Sequence, residues 1–359
     1  MRLERFLPTR DRDRRRRSAT VDATASILAE ADELSRAGRP ADAIDALVAA
    51  SREHRDPAIE IRVLRFREEA ARSVEPEAGR SPWPPLYEDP FPDVVGRVPE
   101  IQLAELRADV MGGAVAHHGA LIVRNLLEPE QARRVIEGIH RAKDQRSRND
   151  DGAAVDDERA SRYVQYPHGP GINMRPRIEQ RGGIWLADSP ASAAYVLDVF
   201  TARGVIPAVA EYFGERPCFS LQKSVLRQVE PVFGPAGWHQ DGAFLGAAVR
   251  SMNVWTALTP CGGDRPTSGL EIIPKRMAEV LPSDSGIVRH SVARTVIDET
   301  IAETPPVRPE FEPGDGIVFD ERLLHRTYLH ENMTDDRYAL ECWLFAPSHP
   351  SPEYLPFLV

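Results

Sequence analysis

The chain has 359 residues, 42% hydrophobic and 28% charged, enough for a sizeable core in two domains or in one large domain with an appendage. No apolar run approaches the roughly 20 residues that span a bilayer, and the N-terminus lacks the apolar stretch of a secretory signal, so a cytoplasmic protein without a membrane partner is expected. The net charge is −10 and the acidic body has no basic stripe mixed with aromatics, which argues against nucleic acid as the main partner; the three cysteines form no C-x-x-C, so neither a zinc knuckle nor a redox dithiol is suggested.

Residues 1–20 hold eight arginines against three acids; such an arm could touch nucleic acid or an acidic surface, and is read as a flexible, solvated tail. Residues 21–73 are helical throughout, broken at Gly38 and Pro40, with Ile44, Leu47 and Val48 at helical spacing. The spacing of Gly38, Ala43, Leu47 and Ala50 suits a single tetratricopeptide-like hairpin. One such unit cannot bury its own face, so it packs on the main domain or on a partner, and protein contact or self-association through 21–73 stays open. Residues 74–99 carry seven prolines and form an extended connector, with Trp83, Tyr87 and Phe91 laying it along a surface.

From residue 100 to 359 the pattern is that of the main domain. LIVRNLL (121–127) reads as a strand, and PEQARRVIEGIHRAK (129–143) as a helix with Pro in its first turn. Residues 144–183 lack periodicity and read as a functional loop or lid, with Arg148, Arg159, Arg162, His168 and Arg175 as candidate contacts for an anionic substrate. A helix at 205–214 ends on Gly214. Short β-branched and aromatic runs follow at 219–228, 252–260, 270–274, 314–320 and 338–347. Helices first and strands afterwards imply an α+β fold with a β-sandwich or barrel core.

Two H-x-D triplets occur. His54-Arg55-Asp56 sits between two helices, where the histidine faces closing carbonyls and Asp56 can cap the next helix. His239-Gln240-Asp241 lies instead in the strand-rich half, between turn residues. In extended backbone, residues i and i+2 share a face, so His239 and Asp241 present an imidazole and a carboxylate side by side. His325 follows the strand GIVFD, 84 residues beyond Asp241; His330 competes with it but falls on the opposite face if the backbone stays extended. Two histidines and one carboxylate are the facial triad of non-haem Fe(II) oxygenases. Arg337 opens the strand RYALECWLF, either as a surface arginine beside Asp335 and Asp336 or as a buried fork for a dicarboxylate.

The order W-H-x-D, then VWTALT, then PGDGIVFD, H-R-T and a final Arg resembles the phytanoyl-CoA dioxygenase-like Fe(II)/2-oxoglutarate oxygenases, over residues 100–347. That resemblance implies a double-stranded β-helix (jelly-roll, cupin-like) core with flanking helices. It makes His239, Asp241 and His325 the iron ligands and Arg337 the partner of the distal 2-oxoglutarate carboxylate. Thr327 would support the same carboxylate, Gln222 would lie near the cosubstrate, and Asn253 and Trp255 are looser candidates for that pocket. Fe(II), 2-oxoglutarate and O2 are the cofactors implied, and the reaction is hydroxylation of an unactivated C–H of a small-molecule substrate with release of succinate and CO2. An Asp at 241, where halogenating relatives have Gly or Ala, points to oxygen rather than halogen transfer. A catalytically silent member, or a scaffold acting through the helical N-terminus, is the alternative.

Overall fold

The computed structural model describes residues 9–53, 55–75, 83–152, 159–168, 173–231, 237–246, 249–282, 291–350 and 354–359, with side chains from residue 23 onward. Its N-terminal unit is three helices, α1 (Thr9–Arg36), α2 (Pro40–Glu53) and α3 (Pro57–Arg72). Ile59, Val63, Phe66 and Ala70 repeat at helical spacing along α3 and are buried against Ala43, Ile44 and Leu47 of α2. The same cluster takes in Cys218 and Leu358 of the main domain, so the unit buries its face there, as a lone hairpin must. Arg67 of α3 donates to the Leu358 carbonyl at 2.7 Å. Asp56 caps α3 by accepting the Ala58 N–H at 2.8 Å, which accounts for one end of the first triplet; His54 lies outside the described residues. Residues 1–8 of the expected flexible arm also lie outside them, but from Thr9 the arm is the first turns of α1. No Gly or Pro interrupts Thr9–Arg36, and Arg and Ala are strong helix formers.

The described end of the connector, residues 83–99, lies along the residues that follow it. Trp83 and Tyr87 pack on Tyr212, with ring centroids 5.1 and 6.3 Å away, and Phe91 packs on His118. Beyond it run β1 (Glu100–Gln102), α4 (Ala108–His118), β2 (Ala120–Arg124), α5 (Pro129–Asp150), α6 (Arg175–Gln180), β3 (Gly183–Trp185), α7 (Pro190–Ala202) and α8 (Val205–Phe213). The strand-rich half holds β4 (Cys218–Ser220), β5 (Val225–Val229), α9 (Gly242–Leu245), β6 (Ser251–Ala257), β7 (Gly269–Arg276), α10 (Arg294–Glu303), β8 (Gly316–Phe319), β9 (Leu323–Tyr328), β10 (Arg337–Phe345) and β11 (Pro356–Leu358). Among the described residues no single helix is long and apolar enough to cross a bilayer.

Among those residues one sheet of nine strands runs β1-β2-β8-β6-β10-β4-β11, with β5 also on β10 and β3 outside β5. All its pairings are antiparallel except β1 with β2. A smaller sheet pairs β7 with β9, and single bridges extend it through His239 beside His325 and Val307 beside Ile272. From β5 onward the chain thus passes back and forth between the two sheets. Trp255, Ile317, Phe319, Ala339 and Trp343 of the large sheet meet Leu270, Ile272 and Leu323 of the small one in a shared core. The other face of the large sheet, with Val254, Val318, Leu340 and Leu344, is covered by α4, α5, α7 and α8. Every residue of β6 is buried, the polar Ser251, Asn253 and Thr256 included, because the strand is covered on both faces.

Three expected elements change. The 121–127 strand stops at Arg124 because Asn125 takes a positive φ of 53°. The 219–228 strand is two strands around a turn at 221–223. Helix α5 continues to Asp150, into the expected lid, on i,i+4 contacts that carry no apolar signal: Gln145 to Asn149 and Arg148 to Asp144. Two lid arginines are spent structurally. Arg148 is in that surface pair, and Arg175 is buried in a two-pronged ion pair with Asp188 at 2.7 and 3.0 Å, stacked on Trp185.

Candidate active site

The triplet is held by its middle residue. Gln240 is fully buried, donates to the carbonyls of Arg322 (2.8 Å) and Glu279 (3.2 Å), and accepts the Leu281 N–H at 2.7 Å. That clamp turns the residues on either side of it toward β9. His239 exchanges both backbone hydrogen bonds with His325, N to O at 3.0 and 3.1 Å, so the two rings lie side by side with centroids 4.5 Å apart. At Asp241 the backbone bends into an αR turn that opens α9, so the carboxylate reaches the pair from a helix start and not, as expected, from extended chain. Asp241 Oδ2 lies 3.9 Å from His325 Nε2.

Each imidazole is fixed through Nδ1. Nδ1 of His239 lies 2.8 Å from the Gly237 carbonyl, and Nδ1 of His325 lies 3.1 Å from the Leu323 carbonyl. A carbonyl only accepts, so Nδ1 carries the hydrogen in each ring and Nε2 keeps its lone pair. Burial, and then His239 beside it, lower His325 to about 4, which leaves it neutral at physiological pH. Burial alone would raise Asp241, but Lys223, with Nζ 3.4 Å from Oδ1, and then His325 and His239 together outweigh it and hold the carboxylate below its ordinary value. Among the described residues no three such side chains are already drawn to coordinating distance of one point.

Alternation along β10 puts Arg337, Ala339, Glu341 and Trp343 toward the small sheet. Arg337 is 4% exposed; among the described residues its Nε has no hydrogen-bond partner, and its Nη1 donates to the Gly269 carbonyl at a long 3.4 Å. Among the described residues no carboxylate pairs with it, and burial pulls it below the ordinary arginine value. It is therefore not a surface arginine beside Asp335 and Asp336. Trp255 lies against it, 5.7 Å from ring centre to guanidinium carbon. Asn253 is on the same face of β6 as Trp255, buried, with Oδ1 unpartnered. Thr327 is half-buried and shares a face of β9 with His325, opposite Leu270. Gln222 is in the turn between β4 and β5, where its amide oxygen accepts the Leu355 N–H at 3.0 Å; that oxygen is committed to the C-terminal segment. His330 follows β9 and accepts the Asn332 N–H.

Three charged residues beside this site went unread in the sequence. Lys223 sits one residue past Gln222, and Glu341 is held at 2.6 Å by Arg227 of β5. Their signal was a charge inside an apolar strand run, and for Glu341 the i+4 spacing from Arg337 along one face.

Two imidazoles with an Nε2 lone pair, one carboxylate and a buried guanidinium are the residue types that a non-haem Fe(II) site with an anion clamp would use. The chain belongs to the phytanoyl-CoA dioxygenase (PhyH) family, whose profile matches residues 115–339. Fe(II), 2-oxoglutarate and O2 are the cofactors that go with this class, and the donor set fits them. Solved structures with a likeness include AviO1 from Streptomyces viridochromogenes Tue57, at 18% identity over 66% of this chain and 93% of that one, with a TM-score of 0.41. EctD from S. alaskensis with 2-oxoglutarate and 5-hydroxyectoine is 17% identical over 66% and 74%, at 0.44. SnoK, a non-heme alpha ketoglutarate dependent carbocyclase from nogalamycin biosynthesis, is 14% identical over 68% and 93%, at 0.45. No curated protein matches the sequence.

Proposed function

We propose that the chain is an Fe(II)- and 2-oxoglutarate-dependent dioxygenase that hydroxylates an unactivated C–H of a small-molecule substrate and releases succinate and CO2. Residues 100–359 form its oxygenase domain, and the two sheets between which the chain alternates are its double-stranded β-helix. The observation that carries the reading is Arg337, a buried guanidinium with an orphaned Nε and, among the described residues, no ion-paired carboxylate. Such a charge is costly to bury and is retained where an anion completes it; a dicarboxylate supplies one end for the guanidinium and the other for a metal.

His239 and His325 would hold iron through Nε2, each fixed in tautomer by its own Nδ1 contact, and Asp241 would bring the negative charge. Arg337 would take the distal carboxylate, with Thr327 beside it on β9. The Trp255 ring and the unpartnered Asn253 oxygen shape the same floor. When bound, iron, 2-oxoglutarate and O2 together supply the oxidation; the protein's part is to orient the partners and keep water out. Asp241, as a third protein ligand, favours oxygen over halogen transfer. Anaerobic addition of Fe(II) and 2-oxoglutarate is expected to give a visible charge-transfer band, and aerobic incubation to release succinate only when both are present. Absence of the band and of succinate refutes the assignment.

A further inference from the structure

The two oxygens of Asp241 face different groups. Oδ2 looks toward His325 Nε2 at 3.9 Å, while Oδ1 has Lys223 Nζ at 3.4 Å. Lys223 is itself confined. It stands in the turn between β4 and β5, its ammonium lies 4.0 Å over the Phe244 ring of α9 and 5.9 Å from the Trp343 ring, and its side chain is 17% exposed. Phe244 follows Asp241 by three residues, so the aromatic cradle and the carboxylate belong to one short segment. Glu341, the other acid in reach, is already engaged by Arg227 at 2.6 Å, which leaves Lys223 to Asp241.

We propose that Lys223 is a positioning residue that holds Oδ1 of Asp241 aside, so that the aspartate offers iron one oxygen and not two. The inference rests on the oxygenase reading above and adds to it a residue that touches neither the metal nor 2-oxoglutarate. The triad is useful to an oxygenase because it leaves positions open for cosubstrate and O2, and a second oxygen from Asp241 would close one of them. An ammonium held by two aromatic faces suits that task. It is a point charge that engages one oxygen, whereas a guanidinium fork engages both.

The test compares Lys223→Met, which keeps the stem and loses the charge, with Lys223→Arg and the parent. Metal affinity is read by anaerobic Fe(II) titration and coordination by the absorption spectrum of the Co(II)-loaded protein, both without turnover; succinate release gives kcat and KM. Removing one positive charge this close to the cation should tighten Fe(II) binding by about fivefold. The Met variant should also shift the Co(II) spectrum toward higher coordination and lower kcat more than tenfold, with KM for 2-oxoglutarate little changed. Lys223→Arg should be slow as well, because its fork spans both oxygens. Weaker metal binding with a lowered melting temperature would mean a merely structural lysine and overturn the proposal. An unchanged Co(II) spectrum with only a raised substrate KM would make Lys223 a substrate contact and overturn it equally. If the parent itself binds no Fe(II), it is the oxygenase reading that falls, and the two failures are distinct.

Discussion

At the scale of single residues, Arg337 shows stability given up for binding. A guanidinium buried with no ion-paired carboxylate among the described residues is costly to the fold in which it sits, and even buried ion pairs exchanged for apolar side chains of similar volume are often neutral or stabilising by about 1–4 kcal/mol. Arg337→Met is therefore expected to raise the melting temperature of the protein without cosubstrate by a few degrees. The same change should abolish the further rise that 2-oxoglutarate gives the parent in the presence of Fe(II). Thermal denaturation with and without 2-oxoglutarate reads both, and a variant that melts lower in its absence would show that Arg337 is structural. His239, Asp241, His325 and Arg337 stand out as candidates in the sequence because each combines a chemistry-bearing side chain with a strand or turn that aims it, and the structure brings His239, Asp241 and His325 together. Lys223 does not stand out. Alternation along an unbroken 219–228 strand says nothing of a turn at 221–223, and it is that turn that carries the lysine to Asp241 while Gln222 goes to Leu355.

At the scale of elements, the corner between β8 and β9 decides where His325 stands. Its Glu321 is 5% exposed; the backbone carbonyl accepts the Gly242 N–H at 2.9 Å, and the side chain accepts the Ser251 hydroxyl of β6 at 2.7 Å. Burial, and then the adjacent Asp320 carboxylate, push Glu321 up to about 7. The folded protein thus keeps a proton there that the unfolded chain has lost above its ordinary value of 4.5. This group's contribution is complete below that value and is lost as pH rises toward 7, by up to about 1.4 kcal/mol per unit. Glu321→Gln keeps an acceptor for Ser251 and removes the titration. Its melting temperature should fall less than the parent's between pH 5 and pH 8, and parallel profiles would refute a buried protonated carboxyl. Elements of this kind are only half visible in sequence. GIVFD announces β8, but β9 begins four residues after it as a separate strand, and it is inside β9 that His325 lies. The small sheet was harder still, because two of its members are single bridges at His239 and Val307, too short for any periodicity.

Across the whole molecule, the question is whether the N-terminal helices are an appendage or part of one cooperative fold. The expectation that a lone helical hairpin must pack elsewhere came from its inability to bury its own face, and the structure places that face on Cys218 and Leu358, at the far edge of the large sheet. What the sequence did not reveal was how polar the junction would be: Arg67 buried against the Leu358 carbonyl, Tyr166 donating to Glu68 at 2.5 Å, Arg52 and Arg55 both paired with Asp198 of α7. Arg67 is lowered to about 10 by burial, then by Arg216, a sign of how completely the junction excludes water. Contacts of this depth couple the helices to the sheet whose β10 carries Arg337. Phe66 is 1% exposed in that interface, and Phe66→Ala should cost about 3–5 kcal/mol. If the chain folds as one unit, thermal unfolding followed by far-UV circular dichroism and by loss of the Fe(II)–2-oxoglutarate band will show a single transition, and Phe66→Ala will lower both signals together. If the helices are an independent module, the variant will instead split the transition, with the helical signal melting early and the metal-site signal staying where the parent has it. Coincident shifts would mean that a lesion at the N-terminal interface is felt at the metal site by way of the shared core.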